Sequence, residues 1–90
     1  MLELDLDRAA DKYIRKLIPK HARQIKAKII ALLSDPNPPD AFPLHGFSYM
    51  RADSGEYRII YRASKEVLTV RLIGKRNDDD VYRRLDRLGG

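Results

Sequence analysis

The fold is decided by residues 56–74, which read EYRIIYRASKEVLTVRLIG. Two segments of this stretch, 56–63 and 67–74, are rich in aromatic and β-branched residues, which is typical of strands. Residues 64–66 between them are few enough for a hairpin turn. Residues 53–55, which precede them and follow a similar segment at 47–52, are equally short. The sequence therefore predicts an antiparallel meander of three strands.

Two helices are predicted before this sheet. Residues 2–6 alternate apolar and polar and indicate a short strand at the sheet edge. Asp7 is placed to cap a first helix, and a second is expected from about residue 19 to 33, because proline suits the first turn of a helix. The apolar residues of both recur at helical spacing and predict inward stripes: Ala9, Ala10, Tyr13, Ile14, Leu17 and Ile18, then Ala22, Ile25, Ile29, Leu32 and Leu33.

The remaining segments complete a prediction of fold class. Residues 35–43 hold four of the five prolines and are expected to form an ordered connector without regular structure. Residues 79–88 are expected to form a last short helix, with Asp78 or Asp79 near its N-terminus. The predicted fold is α+β: a small antiparallel sheet of three to four strands, an N-terminal helical hairpin packed on one face, and a short C-terminal helix. Residues 1–90 are expected to form one domain.

Composition excludes several classes of protein. The chain has no cysteine, which excludes a disulfide scaffold, a thiol nucleophile and a zinc–thiolate site. No apolar run reaches the roughly 18 residues of a membrane span, and the first residues do not begin a signal peptide. A soluble, cytoplasmic protein is expected. The formal charge is +5, and residues 8–28 hold eight basic residues and one acid. This indicates a polyanion or an acidic protein as partner, or else a solvated helix face.

The candidate binding residues lie on the predicted strands. Arg58, Ile60 and Arg62 share one face of the second strand, and tyrosines are interleaved with arginines along the sheet. Guanidinium groups bind phosphate and aromatic rings stack on bases, so the pattern has what single-stranded RNA recognition needs. Composition alone slightly favours the alternative, an exposed sheet face with cross-strand charge pairs. His21 is interpreted as a surface residue. Residues 78–80 are interpreted as a helix cap rather than a metal site, and no cofactor is implied.

These residues resemble the RelE/ParE superfamily of bacterial toxins. The resemblance rests on Gly55-Glu-Tyr-Arg-Ile-Ile-Tyr61, on Leu68-Thr-Val-Arg-Leu-Ile-Gly-Lys-Arg76 and on Val81-Tyr82. It extends back through residues 4–10, 15–17 and 44–46. It implies a toxin of a type II toxin–antitoxin system, closer to the RelE branch, which enters the ribosomal A site, cuts mRNA there, and is blocked by a cognate antitoxin. The gyrase-poisoning ParE branch and a non-catalytic, antitoxin-binding remnant are the alternatives.

The resemblance also implies site residues. The arginine of the "YR" strand corresponds to Arg58, the "GKR" arginine to Arg76, and the tyrosine six residues later to Tyr82. By position, a basic residue seven before Arg58 corresponds to Arg51. Where RelE has a further lysine this chain has Tyr49, and because a guanidinium keeps its proton, Arg51 is a poor proton acceptor. His45, or alternatively Glu56, is therefore the expected base. Further RNA contacts are expected from Tyr49, Arg62, Arg71 and Lys75.

Overall fold

Two short turns set the order of the central strands. In this computed structural model, residues 1–77 and 80–88 are described. Gly55 lies in the first turn at a φ of +59°, which suits glycine, and residues 64–66 form the second connection. The described elements are, in chain order, β1 (Glu3–Leu6), α1 (Arg8–Arg15), α2 (Pro19–Ser34), β2 (Ala41–Pro43), β3 (Met50–Ser54), β4 (Tyr57–Ala63), β5 (Val67–Lys75) and α3 (Asp80–Arg87). The predicted meander is β3–β4–β5, and both of its pairings are antiparallel.

The sheet has more strands than the sequence predicts. Within the described residues it has five, in the order β1-β5-β4-β3-β2. The additional strand, β2, lies in residues 35–43, for which the prediction of no regular structure is wrong. It pairs with β3, with Phe42 opposite Arg51 and Pro43 opposite Met50. A proline is tolerated there because an edge strand has one side without ladder hydrogen bonds.

The first strand is at the sheet edge, as predicted, but it runs parallel to its neighbour. Glu3 lies opposite Val67 and Leu6 opposite Val70 in β5. The sheet is therefore mixed rather than wholly antiparallel. Residues 2–6 carry no local signal for the direction of a partner so far along the chain, because a period of two is common to both pairings.

The helical hairpin covers one face of the sheet, which confirms the α+β prediction. Buried residues of α1 and α2 pack against the strand residues that alternate toward them, since successive side chains of a strand point to opposite faces. Burial of a large aliphatic side chain stabilises the fold by about 1.5–3 kcal/mol. Together these residues form the helix-face cluster, which contains Ala10, Ile14, Ile25, Ile29, Leu32, Ala52, Tyr57, Ile59, Tyr61, Leu68, Val70 and Ile73.

The opposite face carries α3, which confirms the predicted last helix. Val81 and Leu85 of α3 pack with Leu44, Tyr49, Ile60 and Leu72 in a second buried cluster. The expected capping residues Asp78 and Asp79 lie outside the described residues. No helix within the described part of the chain has the length and apolar character needed to cross a membrane.

Three local predictions are wrong. Asp7 makes no side-chain capping bond to α1; its carboxylate instead accepts a hydrogen bond from Arg71 Nη1 at 2.6 Å. Ile18 is 59% exposed rather than inward, because α1 ends at residue 15 and Ile18 precedes α2. His21 is half-buried rather than on the surface, with Nδ1 2.7 Å from Tyr57 Oη. The corrections for Asp7 and His21 arise from partners on distant segments, whereas that for Ile18 arises from the early end of α1.

Candidate functional site

Arg58 is the centre of a cluster on the α3 face of the sheet. The β3–β4 register places Asp53 directly opposite Arg58, and the β4–β5 register places Gly74 on its other side. Arg58 Nε donates to Asp53 Oδ1 at 3.0 Å, and Arg58 Nη1 donates to Tyr82 Oη at 2.7 Å. The structure therefore brings two of the predicted site residues, Arg58 and Tyr82, into direct contact.

Gly74 allows the helix that carries Tyr82 to approach the sheet. A Cβ atom on Gly74 would lie 3.3 Å from Val81 Cβ, which is closer than side chains normally pack. Val81 is the first residue of α3 after Asp80 and is buried against the sheet. Because Tyr82 follows Val81, this close packing holds the phenol beside Arg58.

Arg58 remains charged, and some of its N–H donors are not used within the cluster. Burial opposes that charge, but the Asp53 carboxylate and the Tyr82 hydroxyl together raise the pKa of Arg58 above its ordinary value. A guanidinium has five N–H donors, and the two hydrogen bonds of the cluster use two of them. The remaining donors can bind the oxygens of an anion such as a phosphate, and 14% of the side chain is exposed.

Arg76 and Lys75 lie at the same end of the sheet. Lys75 is the last residue of β5, and Arg76 follows it. Arg76 is exposed two residues beyond Gly74, and its backbone N–H donates to the carbonyl of Glu56 at 3.0 Å. Lys75 is opposite Tyr57, whose side chain belongs to the helix face. Strand alternation therefore places Lys75 on the face away from Arg58.

Arg51 and Arg62 continue the basic surface along the α3 face. The guanidinium of Arg51 lies 5.3 Å from the ring centre of Phe42, and that of Arg62 lies 5.0 Å from the ring centre of Tyr49. Such cation–π contacts hold a guanidinium in place and leave N–H donors on its edge. Arg51 is opposite Ile60, so it is on the same face as Arg58.

Tyr49 and Arg71 have structural contacts. Tyr49 is only 7% exposed and lies beneath Arg62, so its ring is not open to a base. Arg71 lies where β5 has an extra residue relative to β4, and it binds the Asp7 carboxylate, which raises the pKa of the guanidinium. Their predicted part in RNA binding stays a prediction.

The two expected proton acceptors lie away from Arg58. Leu44 N donates to Tyr49 O at 2.8 Å, so the exposed His45 lies near the Tyr49 end of β3, whereas Asp53 is four residues further along. Four residues of a strand span about 13 Å. Glu56 lies in the β3–β4 turn, and its Oε1 is 3.7 Å from His21 Nδ1 on α2.

Asp53 is the member of the cluster that the sequence analysis missed. The sequence pattern predicts a turn at residues 53–55, but the strand continues to Ser54, which is opposite Tyr57. The turn is only Gly55 and Glu56. A two-residue turn is the commonest hairpin connection. A two-residue turn at Gly55 and Glu56 pairs Asp53 with Arg58, and this pairing can be counted from the sequence alone.

Comparison with known proteins identifies the family. The model of the ParE toxin of type II toxin–antitoxin systems, parDE, matches residues 3–80. No curated protein matches the sequence. The isolated RelE toxin of E. coli is 27% identical over 97% of each chain, with a TM-score of 0.73. The toxin chain matched in the intact E. coli RelBE toxin–antitoxin complex is 28% identical, with a TM-score of 0.71, over 83% of this chain and 96% of that one.

An archaeal relative shows the same fold. The RelE–RelB complex from Pyrococcus horikoshii OT3 matches with a TM-score of 0.73 at 23% identity, over 83% of this chain and 94% of that one. The fold thus defines a small RelE-like α+β protein. The chain belongs to the ParE toxin family within the RelE/ParE superfamily, and it is a toxin of a type II toxin–antitoxin system. The resemblance given by the sequence, closer to the RelE branch, is confirmed.

Proposed function

We propose that this toxin is a ribosome-dependent mRNA endonuclease that inhibits translation. The observation that carries the proposal is the contact of Arg58 with Tyr82, at 2.7 Å, on the sheet face that also presents Arg51. Arg76 extends this surface at the end of β5. A phosphate-binding guanidinium beside an aromatic ring provides the two contacts that a single nucleotide in an extended strand requires.

The proposed reaction is attack by a ribose 2′-hydroxyl on the adjacent phosphorus, without a metal ion. Arg58 and Arg76 bind the phosphate and stabilise the charge that develops on it, which is the kind of contribution that preorganised donors make. Tyr82 stacks on a base and orients it, and Arg51 contacts the backbone. The reaction needs placement of the nucleotide, removal of a proton from the 2′-oxygen and delivery of a proton to the leaving 5′-oxygen.

The partners follow from the charge of the chain and from its relatives. The exposed basic residues of α1 and α2 contact ribosomal RNA through a salt-sensitive attraction that does not depend on sequence. The similar solved structures include complexes of a toxin with an antitoxin. We propose that an antitoxin likewise binds and inhibits this chain, that residues 1–90 act as one domain, and that the protein acts in the cytoplasm, where translation takes place.

Substitution of Arg76 tests the proposed site. In a translating extract, Arg76→Ala is expected to reduce mRNA cleavage by about 10²- to 10³-fold, because one preorganised donor to the reacting phosphate is lost. Binding of the antitoxin should remain. The matched control is Lys65→Ala, since Lys65 is exposed in the β4–β5 connection at the other end of the strands. If Arg76→Ala cleaves mRNA at the wild-type rate, the assignment of Arg76 is wrong.

A gyrase inhibitor is the second candidate, because the matching family model is that of ParE toxins. Inducible expression in a bacterium distinguishes the candidates. Cuts in a translated message at codon spacing, seen by primer extension, support the nuclease. Stabilised gyrase–DNA cleavage complexes with intact mRNA support the gyrase inhibitor. Normal growth with both intact indicates a non-catalytic protein that binds an antitoxin.

A further inference from the structure

Three side chains are candidates for the proton acceptor of the proposed reaction, and they differ in their distance from Arg58. His45 lies beyond the far end of β3, and the carboxylate of Glu56 lies toward His21 on α2. Asp53, in contrast, is on the α3 face and in direct contact with Arg58, with its Oδ1 3.0 Å from Arg58 Nε. A general base must lie within hydrogen-bond reach of the proton that it removes. Because Asp53 is within hydrogen-bond distance of Arg58, it lies beside any phosphate that Arg58 binds.

Asp53 also has the capacity to accept a further hydrogen bond. An ionised carboxylate offers about four lone-pair positions on two oxygens, and the hydrogen bond from Arg58 Nε occupies one. The Asp53 side chain is 36% exposed, so a ligand can reach it. Arg51 lies two residues earlier on the same strand face, and Arg76 follows the end of β5, which is separated from β3 by β4. These cations, with Arg58, offset the repulsion between Asp53 and a phosphate.

We infer that Asp53 is the proton acceptor of the cleavage reaction, an inference that rests on the proposed nuclease function. The 2′-oxygen forms a bond to phosphorus while its proton passes to the Asp53 carboxylate. The bond from phosphorus to the 5′-oxygen of the next nucleotide breaks, and that oxygen takes a proton from water. The products are a 2′,3′-cyclic phosphate and a 5′-hydroxyl, and Asp53 then releases its proton to the solvent.

The substitution Asp53→Asn separates proton transfer from positioning. The asparagine amide oxygen still accepts a hydrogen bond from Arg58 Nε, but it is not a base at neutral pH. Single-turnover cleavage of a short mRNA on programmed ribosomes is expected to slow by about 10²- to 10⁴-fold, the usual range for loss of a general base. Ribosome binding should not weaken, because a negative charge near the phosphate is removed. The matched control, Asp5→Asn, removes an exposed aspartate of β1 and should leave the rate unchanged.

A second variant, Asp53→Ala, distinguishes proton transfer by Asp53 from a role in positioning Arg58. Asp53→Ala leaves space for a small carboxylate, so added formate is expected to accelerate this variant and to have no such effect on Asp53→Asn. A thermal melt of each variant establishes that it is folded. If Asp53→Asn is slow but formate does not accelerate Asp53→Ala, Asp53 only positions Arg58 and the inference is overturned.

The remaining outcomes are equally decisive. A rate for Asp53→Asn within about threefold of wild type overturns the inference, and so does a larger loss for Glu56→Gln or His45→Gln than for Asp53→Asn. These results leave the nuclease function in place, because wild-type protein cleaves mRNA in the same assay. Failure of the wild-type protein to cleave mRNA on ribosomes is a different result, and it removes the proposed function itself.

Discussion

The hydrogen bond between Arg58 and Tyr82 predicts that substitutions of these two residues have non-additive effects on stability. The bond, 2.7 Å long, joins β4 to α3. A hydrogen bond to a charged group contributes about 1.5–3 kcal/mol when it is shielded from water. Because 14% of the Arg58 side chain is exposed, water can partly replace the phenol. We therefore expect a coupling free energy of about 1–2 kcal/mol, at or just below the lower end of that range.

A double-mutant cycle measures this coupling. The free energy of unfolding is determined in urea for wild type, Tyr82→Phe, Arg58→Met and the double variant. Arg58→Met also leaves Asp53 without its cation, but this loss is common to both arms of the cycle and cancels. In a domain of this size each kcal/mol corresponds to about 4–8 °C in melting temperature, so Tyr82→Phe should melt visibly lower than wild type.

A control cycle uses a tyrosine on the opposite face of the same strand. Tyr61 belongs to the helix-face cluster, so Tyr61→Phe and Arg58→Met should be additive within about 0.5 kcal/mol. If Tyr82→Phe and Arg58→Met are additive to the same degree, the contact does not hold α3 at Arg58. The geometry on which the proposed site depends would then be wrong.

Two further predictions concern alkaline stability and ribosome binding. Tyr61 Oη donates to Pro36 O at 2.6 Å, and burial raises the pKa of Tyr61 to about 12. The unfolded chain ionises first, so the stability advantage of wild type over Tyr61→Phe, measured in urea, should shrink by roughly 2–3 kcal/mol as pH rises from about 10 to 12; a constant difference contradicts this. Reversing the charge of the exposed residues Lys16, Lys20 and Arg23 should weaken ribosome association by at least tenfold at low salt and less at high salt, as measured by pelleting; unchanged association assigns these residues to a solvated surface.

Local chemistry explains which elements the sequence predicts well. The start of α2 at Pro19 follows from the fixed φ of proline, and β4 and β5 follow from runs of aromatic and branched residues between short turns. The spacing of Arg76 and Tyr82, read through the family resemblance, indicates an arginine–tyrosine site. The contact that the structure shows is instead between Arg58 and Tyr82. Local sequence therefore determines where the helices and strands form. The contacts between them depend on how the strands are aligned with one another.

The register explains what the sequence analysis missed at the site. Placing the β3–β4 turn at residues 53–55 instead of Gly55 and Glu56 moves Asp53 off the strand, and with it the partner of Arg58. A small error in the position of a turn changes which residues are opposite each other, because cross-strand pairs are counted from the turn. The position of the turn also affects Glu56. Because Glu56 is in the turn and not in β4, its side chain lies toward His21 and not toward the arginines.

By itself, the sequence determines the helices, the three-strand meander, the excess of positive charge and the family, because each of these depends on residue type and on spacing within short segments. Only the tertiary structure decides that β1 runs parallel to β5, that a proline-rich segment supplies a fifth strand, that Asp7 binds Arg71, and that Arg58 lies between Asp53 and Tyr82. Each of these contacts joins segments that are separate in the chain. Their geometry is fixed when the two faces of the sheet are buried against different helices.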